Sequence, residues 1–303
     1  MDVLQRSAAI ARSLGISVEQ ATELDGGNQN HVVRVRGGRR DVVVRFAKDD
    51  TRMLVDPFDV EAWCLTATAE AGIHTSPLVA RGTADGLSYL VVGHLPGTVA
   101  AANDLHAWRE IGRIAAALAE VDVATAPDAF FTRFGRNPAE AWDAHLGYNF
   151  AALEGDDPLV DFGIYREPDR SKLRNVLASL RARRLSQGLV HGDLSTRNLL
   201  VNERYAVVDW GSAHSGPTCW GDLDQINRWR LLGDPESPVS EAAWSSALGG
   251  AGLTDAQAAP VLAELAVLHA LDVVRWSYTS RPDRLDELVH RSARLLRVLG
   301  LTS

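Results

Sequence analysis

Three polar residues near the middle of the chain have the types and the spacing needed to transfer a phosphoryl group. Asp193 and Asn198 stand five residues apart between two apolar runs, and Asp209 ends the second of two short apolar runs that follow. Such a transfer needs a carboxylate that orients the attacking hydroxyl and accepts its proton, and oxygen ligands that hold Mg²⁺ across the β- and γ-phosphates. We assign Asp193 to the first role and Asn198 and Asp209 to the second. Residues 199–201 and 206–208 predict a hairpin that brings the loop ends together.

The composition is that of a folded globular chain and excludes several classes of function. Of its 303 residues, 46% are hydrophobic and 23% are charged, which excludes disordered and fibrous classes. The formal charge of −8 argues against sequence-independent binding of nucleic acid, which needs a basic surface. Cys64 and Cys219 lie far apart without metal-ligand spacing, so we expect neither a disulfide nor a zinc site.

The N-terminal residues do not have the pattern of an export signal, and the apolar stretch 259–276 is interrupted by Glu264, His269 and Asp272. This stretch is expected to be a buried core helix and not a membrane span. We therefore expect a cytoplasmic protein with no nucleic-acid or membrane partner. Its oligomeric state stays open between monomer and homodimer.

The elements that must position the three polar residues form two blocks, which predicts an α+β fold. After a short amphipathic helix, five strands are predicted at 18–24, 31–36, 41–47, 77–82 and 87–92, with a helix at 56–71. Helical periodicity then dominates, at 104–121, around 138–153, and at 169–187, 221–232, 239–248 and 255 to the end. Glycine and proline at 93–97 indicate a hinge. We therefore divide the chain into a nucleotide-binding lobe at 1–92, the hinge at 93–97 and a helical lobe at 98–303.

A charged residue interrupts the third predicted strand. Arg45 follows three consecutive valines, and strand alternation places it on the same face as Val43. Phosphoryl transfer needs a cation at this place to hold the α- and β-phosphates, fixed by a carboxylate of the following helix. Glu61 is the candidate carboxylate. Lys48 is the alternative cation, and a surface arginine on an edge strand is the alternative interpretation of Arg45.

The loop at 191–198, His-Gly-Asp-Leu-Ser-Thr-Arg-Asn, together with Asp209 downstream, resembles that of the aminoglycoside phosphotransferase and choline kinase group. The resemblance spans nearly the whole chain. It implies a bilobal, protein-kinase-like fold, with a small five-stranded antiparallel lobe that contains one helix and a larger, mostly helical lobe. It also implies ATP or GTP with Mg²⁺ as cofactors and a hydroxyl of a small molecule as acceptor. Arg45 and Glu61 resemble the Lys–Glu pair of the group, with arginine in place of lysine.

The resemblance also implies where the nucleotide is held. Gly27 and Asn28 belong to a loop that would cover the triphosphate, although a plain hairpin turn would have the same sequence features. Val43 and Val92 would form apolar walls for the base, and the backbone from Gly93 to Leu95 would hydrogen-bond its edge.

Two further residues are expected to support the catalytic loop. The resemblance implies that Asp222, at the start of a helix, anchors the loop, and that His191 braces it. Only twelve residues separate Asp209 from Asp222, which leaves no room for the peptide platform of a protein kinase. Asp193, Asn198 and Asp209 are all present, which disfavours a pseudokinase that only binds nucleotide.

The acceptor is the least determined part of the sequence interpretation. We place its site between the catalytic loop and the helices of the large lobe, with Arg228, Arg230, Asp272 and Trp276 as candidate contacts. An antibiotic of the aminoglycoside kind is the leading hypothesis, and a metabolic sugar, amino alcohol or amino acid is the alternative. For Asp272, a structural salt bridge to Arg275 or another core arginine is the competing interpretation.

Overall fold

The computed structural model describes residues 2–24, 30–48 and 56–302, and its contacts divide the chain into two units. Unit 1 comprises Met1–Val99, Ala124–Phe130 and Asn198–Ala213, and unit 2 comprises Ala100–Val123, Phe131–Arg197 and His214–Ser303. The chain therefore returns to unit 1 twice after leaving it at Val99. Boundaries drawn in chain order, such as the hinge at 93–97, do not describe these returns.

A five-stranded antiparallel sheet forms the frame of unit 1. Its strands are β1 (Gln20–Glu23), β2 (Asn30–Gly37), β3 (Arg40–Ala47), β4 (Leu78–Ala84) and β5 (Leu87–Gly93), in the spatial order β1-β2-β3-β5-β4. Alternation along β3 buries Val42, Val44 and Phe46 in a core that α1 (Val3–Ser13) covers, and turns Val43 and Arg45 to the other face. The five strands and the shared face of Val43 and Arg45 agree with the sequence prediction.

One helix and a second, smaller sheet complete unit 1. The helix α2 (Asp59–Glu70) follows β3, and β6 (Thr98–Val99) pairs with β8 (Leu199–Val201), which pairs with β9 (Tyr205–Val207). The hairpin of β8 and β9 is the predicted one, whereas β6 is too short to be visible in the sequence. The Oγ1 of Thr75 donates to the carbonyl of Val207 at 2.9 Å, and the Nε1 of Trp210 donates to the same Oγ1 at 3.0 Å. These bonds fix the segment that contains Asp209.

Unit 2 is mostly helical. Its helices are α3 (Leu105–Ala117), α4 (Pro138–Glu154), α5 (Pro158–Asp161), α6 (Arg170–Ala182), α7 (Trp220–Leu232), α8 (Glu241–Gly250), α9 (Asp255–Ser280) and α10 (Leu285–Val298). A two-stranded ribbon of β7 (Gln187–Val190) and β10 (His214–Pro217) lies beside α4 and α7. The sequence predicted helical structure from 255 to the end, but in the structure this stretch is divided at Arg281 into α9 and α10. Pro282 follows, and a proline removes one backbone donor and disfavours helical geometry in the residue before it.

The long helix α9 is the centre of unit 2 and packs against α4, α6, α7 and α10. It is long and apolar enough to cross a membrane, the only such helix in the described ranges, but 56% of its most apolar window is buried inside the protein. That burial is typical of a core helix. Four residues on one side of α9 are only partly covered: His269, Asp272, Val273 and Trp276.

Candidate active site

A buried arginine in unit 1 connects two carboxylates. Arg45 of β3 donates through one terminal nitrogen to Glu61 of α2, and through the other to the Oδ1 of Asp209 at 3.1 Å. The side chains of Arg45 and Glu61 are 16% and 4% exposed, whereas that of Asp209 is 52% exposed. The structure thus brings together the cation and the carboxylate that the sequence paired. Lys48, the alternative cation, is exposed.

The three charges influence one another because two of them are shielded from water. Burial raises the pKa of Glu61 to about 7, against the opposing effect of Arg45. Burial alone would lower the pKa of Arg45, but the charges of Glu61 and Asp209 outweigh it and the pKa is raised. Arg45 is therefore a permanent cation at a fixed position, beside a carboxylate that solvent can reach.

The two candidate metal ligands belong to the same part of unit 1. The carbonyl of Asn198 accepts a hydrogen bond from the Val208 N–H at 3.0 Å, so the predicted closure of the loop ends is present. Asp209 has φ of 63°, in the left-handed region that non-glycine residues seldom adopt. Such backbone strain concentrates at functional sites.

The donor chemistry of Asn198 and Asp209 fits a hard divalent cation. Amide and carboxylate oxygens are ligands that Mg²⁺ accepts, and Mg²⁺ in nucleotide enzymes commonly takes one or two protein ligands with phosphate and water oxygens. No group of three or more His, Cys, Asp or Glu residues with metal-binding geometry occurs at 2–24, 30–48 or 56–302. A complete cage made by the protein is therefore not what these residues offer.

Asp222, in the first turn of α7, anchors the part of the catalytic loop that belongs to unit 2, residues 191–197. Its carboxylate accepts hydrogen bonds from the backbone N–H groups of His191, at 3.1 Å, and Gly192, at 2.9 Å. Asp222 is fully buried, and burial raises its pKa against the lowering effects of His191 and these N–H groups. The structure confirms the predicted anchor. Gly192 has φ of 78°, which glycine adopts without strain.

Asp193 follows directly on this anchored turn. Its N–H donates to the Nδ1 of the buried His191 at 3.2 Å, which is the predicted brace, and its side chain is 33% exposed. Arg197, four residues further on, places a terminal guanidinium nitrogen at 3.4 Å from the Asp193 Oδ1. The backbone of Asp193 is thus fixed while its carboxylate remains accessible to a substrate.

The predicted base-binding residues lie at the end of β5. Val43 and Val92 are direct partners across β3 and β5. The Gly93 N–H already donates to the Pro77 carbonyl at 2.8 Å, whereas the Leu95 N–H makes no backbone hydrogen bond within the described ranges. Leu95 is therefore the better candidate donor to a base. Gly27 and Asn28 lie outside the described residues.

The four acceptor candidates do not form one cluster. The Oδ1 of Asp272 lies 3.2 Å from the Nε2 of His145 and 3.6 Å from Arg133. Arg275, which the competing interpretation proposed as its partner, pairs instead with Asp157 at 2.5 Å. Trp276, one turn after Asp272, is 37% exposed.

The two arginines of α7 point to different surroundings. Arg228 donates to Asp224 and to the Nε2 of His269, each at 2.8 Å. Arg230 donates to Glu241 of α8 at 2.9 Å. Only Arg228 is therefore associated with α9.

The sequence did not predict an aromatic group beside Asp272, which consists of Phe134, His145 and Tyr148. The guanidinium of Arg133 lies 4.9 Å from the ring centre of Phe134 and 4.8 Å from that of Tyr148, and Phe134 stacks on His145 at 5.0 Å. The spacing of His145 and Tyr148, three residues apart on α4, places them on one side of the helix. That spacing is the signal that could have revealed the group.

Comparisons with known proteins agree with this geometry. The phosphotransferase enzyme family APH matches residues 20–220. The solved structure of aminoglycoside phosphotransferase APH(4)-Ia superimposes with a TM-score of 0.62 at 16% identity, covering 100% of both chains. Spectinomycin phosphotransferase APH(9)-Ia, with ADP and spectinomycin, gives 0.53 at 12% identity over 98% of this chain and 96% of its own.

Choline kinase LicA from Streptococcus pneumoniae gives a TM-score of 0.55 at 17% identity and 98% coverage of each chain. A search of curated proteins finds no matching relative. The structural likenesses show the fold, which is the α+β fold predicted, and the family match covers well over half of the chain. The chain belongs to the phosphotransferase enzyme family APH.

Proposed function

We propose that this phosphotransferase moves the γ-phosphoryl group of ATP to a hydroxyl of a small molecule, and that the acceptor is a cationic compound of the aminoglycoside kind. The observation that carries the transfer itself is the chain of ion pairs Glu61–Arg45–Asp209. It supplies a fixed cation for phosphate oxygens and a solvent-accessible carboxylate for a metal. When bound, ATP supplies the phosphoryl group and Mg²⁺ offsets the negative charge of its phosphates.

Each residue has a defined task in this proposal. Asp193 accepts a hydrogen bond from the acceptor hydroxyl and takes its proton as the new O–P bond forms. Asn198 and Asp209 provide oxygen ligands, and Arg45 holds the phosphate oxygens. The bond from the γ-phosphorus to the bridging oxygen breaks, and its electron pair leaves with ADP. Two mutants of APH(4)-Ia were solved as ternary complexes, one with ADP and one with AMP-PNP, which supports ATP as the donor.

The cationic acceptor is supported by the surroundings of Asp272 in unit 2. Arg133 lies over two aromatic rings and 3.6 Å from this carboxylate, so the group already accommodates a cation. Burial would raise the pKa of Asp272, but His145 and Arg133 outweigh it and lower the pKa. A carboxylate that stays ionised next to aromatic rings suits an amino group of an acceptor.

The same observation leaves room for a second candidate function, a metabolic kinase for an amino alcohol. Such an acceptor is also cationic, and one of the structural relatives is a choline kinase. The two functions differ in the number of amino groups and sugar rings that the acceptor carries.

The test is a panel assay of ATP consumption with hygromycin B, spectinomycin, choline and the neutral sugars glucose and ribose. We expect turnover with at least one cationic compound and none with the neutral sugars, and loss of that turnover in Asp193→Asn. The phosphorylated position is then located by ³¹P NMR of the product. Turnover with neutral sugars alone would reject the cationic acceptor, and turnover that survives in Asp193→Asn would reject the assigned mechanism.

A further inference from the structure

A cavity of about 290 Å³ lies within unit 2, between α7, α9 and α10. Its lining has an apolar part and a charged part. Leu232, Val273, Leu288 and Leu295 provide apolar surface, and three arginines, one from α7 and two from 284–291, provide charge. The volume is close to the lower end of the range of small-molecule sites, roughly 300–1,000 Å³. The cavity therefore has the size for a small ligand with an apolar part.

The arginines of the lining keep hydrogen-bond donors available. Arg228 uses Nε for Asp224 and NH1 for His269, and Arg291 uses NH2 for Asp234 at 2.8 Å. Within the part of the chain that the structure describes, NH2 of Arg228 has no hydrogen-bond partner. The same is true of Nε and NH1 of Arg291. A guanidinium has five N–H donors, so each arginine can bind an anion without giving up its present carboxylate.

His269 adds a neutral donor to this lining. Arg228 has no acceptor atom, so the contact at 2.8 Å requires that the Nε2 of His269 accepts and that its proton is on Nδ1. Burial, together with the charges of Arg228 and Arg291, lowers the pKa of His269 well below its usual value. The imidazole thus adds no positive charge of its own.

The balance of charge on the lining is positive. Glu287 is the one acidic residue among the lining residues, and Arg284 already holds both of its oxygens at 3.0–3.1 Å. Arg228 and Arg291 pair with carboxylates that do not line the cavity, Asp224 and Asp234. They are therefore the lining cations without a lining carboxylate as partner. A carboxylic ligand or a phosphate monoester would meet two guanidinium groups, and its hydrocarbon part would meet the leucines and Val273.

We propose that this cavity is a binding site for a small organic anion with an apolar body, a carboxylate or a phosphate monoester. The site is distinct in its chemistry from the cationic-acceptor group at Asp272, because its charge has the opposite sign. It is formed by α7, α9 and α10, so its occupancy stabilises the contacts among these helices of unit 2.

The test uses hexyl phosphate as the probe, measured by isothermal titration calorimetry on the full chain. Mg²⁺ and AMP-PNP are present at saturation, so that the nucleotide site does not contribute to phosphate binding. Hexanol and inorganic phosphate are titrated separately. We expect saturable binding of hexyl phosphate at one site, tighter than that of inorganic phosphate, and no binding of hexanol.

Matched variants on α10 identify the site. Arg291→Gln removes a lining cation whose side chain is 46% exposed, and the glutamine amide keeps a donor for Asp234; thermal unfolding of the variant checks that the fold is retained. Arg294→Gln removes the same charge from an exposed residue of the same helix that does not line the cavity. We expect the Kd for hexyl phosphate to rise about tenfold in Arg291→Gln, which corresponds to about 1.4 kcal/mol, because a charge-assisted hydrogen bond is lost, and to change little in Arg294→Gln.

Two results would overturn the proposal. One is the lack of saturable binding in the wild-type protein. The other is equal weakening in both variants, which would mean that only the general charge of the surface is sensed. The assay does not depend on turnover, so a failure of the proposed phosphoryl transfer leaves this result interpretable.

Discussion

Arg45 is placed between a buried and an accessible carboxylate, and this asymmetry governs the chemistry of unit 1. Glu61 is enclosed and holds the guanidinium in place, whereas Asp209 keeps half of its side-chain surface in solvent. A buried guanidinium without partners would be very costly, so the pair with Glu61 fixes the cation even when no phosphate is present. Under the proposed function, the cation is thus in place for phosphate oxygens before nucleotide binds.

The first prediction concerns this cation. Arg45→Ala should raise the KM for ATP roughly tenfold or more, because a charge-assisted hydrogen bond to phosphate is lost. Arg45→Lys should lie between the variant and the wild type, since lysine offers one charged nitrogen where Arg45 reaches two carboxylates with separate nitrogens. Steady-state kinetics with varied ATP measure both. Lys48→Ala is the control, and a greater effect there would move the cation to Lys48.

A second prediction at this scale concerns the acceptor. Asp272→Asn should raise the KM for a cationic acceptor several-fold and leave the KM for ATP and the melting temperature nearly unchanged, because it removes a charge without changing the size of the side chain. Trp276→Ala tests the neighbouring exposed ring in the same assay. If Asp272→Asn lowers the melting temperature strongly while the acceptor KM stays constant, Asp272 serves the fold through His145 and Arg133.

At the scale of elements, sequence periodicity predicted the regular strands and helices, but it did not predict a short strand or an aromatic group. Strand alternation in β3 correctly placed Arg45 on the same face as Val43, and the apolar runs around 199–207 correctly predicted a hairpin. The strand β10 was missed because Gly216 and Pro217 disfavour strands, although a short ribbon accepts them. The aromatic group at Phe134 was missed because the loop before α4 contacts both α4 and α9, and the spacing of His145 and Tyr148 reveals only the part of the group that lies on α4.

The third prediction tests how the small sheet of unit 1 is held. Gly97 has φ of 147°, and a Cβ there would come within 2.7 Å of the Val201 carbonyl oxygen in β8. Gly97→Ala should therefore destabilise the protein by about 1–3 kcal/mol, measured by urea unfolding. Gly135→Ala is a matched control, because Gly135 has φ of 131° but nothing within 4 Å of its Cβ position. Equal losses in the two variants would mean that backbone strain alone matters and not the contact with Val201.

At the scale of the whole molecule, the residues to which we assign roles are distributed over the two units. Unit 1 holds Arg45, Asn198 and Asp209, and unit 2 holds the anchored Asp193 and the acceptor candidates. The family match from 20 to 220 includes residues of both units. The sequence could predict phosphoryl transfer because residues 191–198 form one continuous segment. It could not identify the acceptor, because the candidate contacts lie on α4, α7 and α9, which are far apart along the chain.

The stability of unit 2 depends on a buried ion pair that joins α9 to the turn before α5. Arg275 and Asp157 are almost completely buried, and Tyr165 donates to the same carboxylate at 2.6 Å. Burial would raise the pKa of Asp157, but hydrogen bonds from Arg275 and Tyr165 outweigh it and lower the pKa. Because the pKa of Asp157 is lower in the folded protein than in the unfolded chain, its carboxylate stabilises the fold at pH values above the unfolded pKa, about 4. This stabilisation is lost as the pH falls through the lower pKa of the folded state.

The fourth prediction follows from that sign. Asp157→Asn should lower the free energy of unfolding at pH 7 by about 3 kcal/mol or more, since Arg275 keeps a buried charge without its partner. The loss of stability between pH 5 and pH 3 should also be smaller in the variant than in the wild type, as measured by urea unfolding at each pH. Asp161→Asn, at an exposed residue nearby, is the control. Identical acid sensitivity in all three proteins would exclude Asp157 as a source of the pH dependence.

The most direct test of the account compares nucleotide binding with turnover in Asp193→Asn. The substitution keeps the size of the side chain and leaves Arg45, Asn198 and Asp209 unchanged, so the affinity for MgATP should stay within a few-fold of the wild type. Turnover with an active acceptor should fall by about 10²-fold or more, because the group that orients the hydroxyl and accepts its proton is lost. Turnover within a factor of a few of the wild type, with the same affinity for MgATP, would contradict the role of Asp193 in phosphoryl transfer.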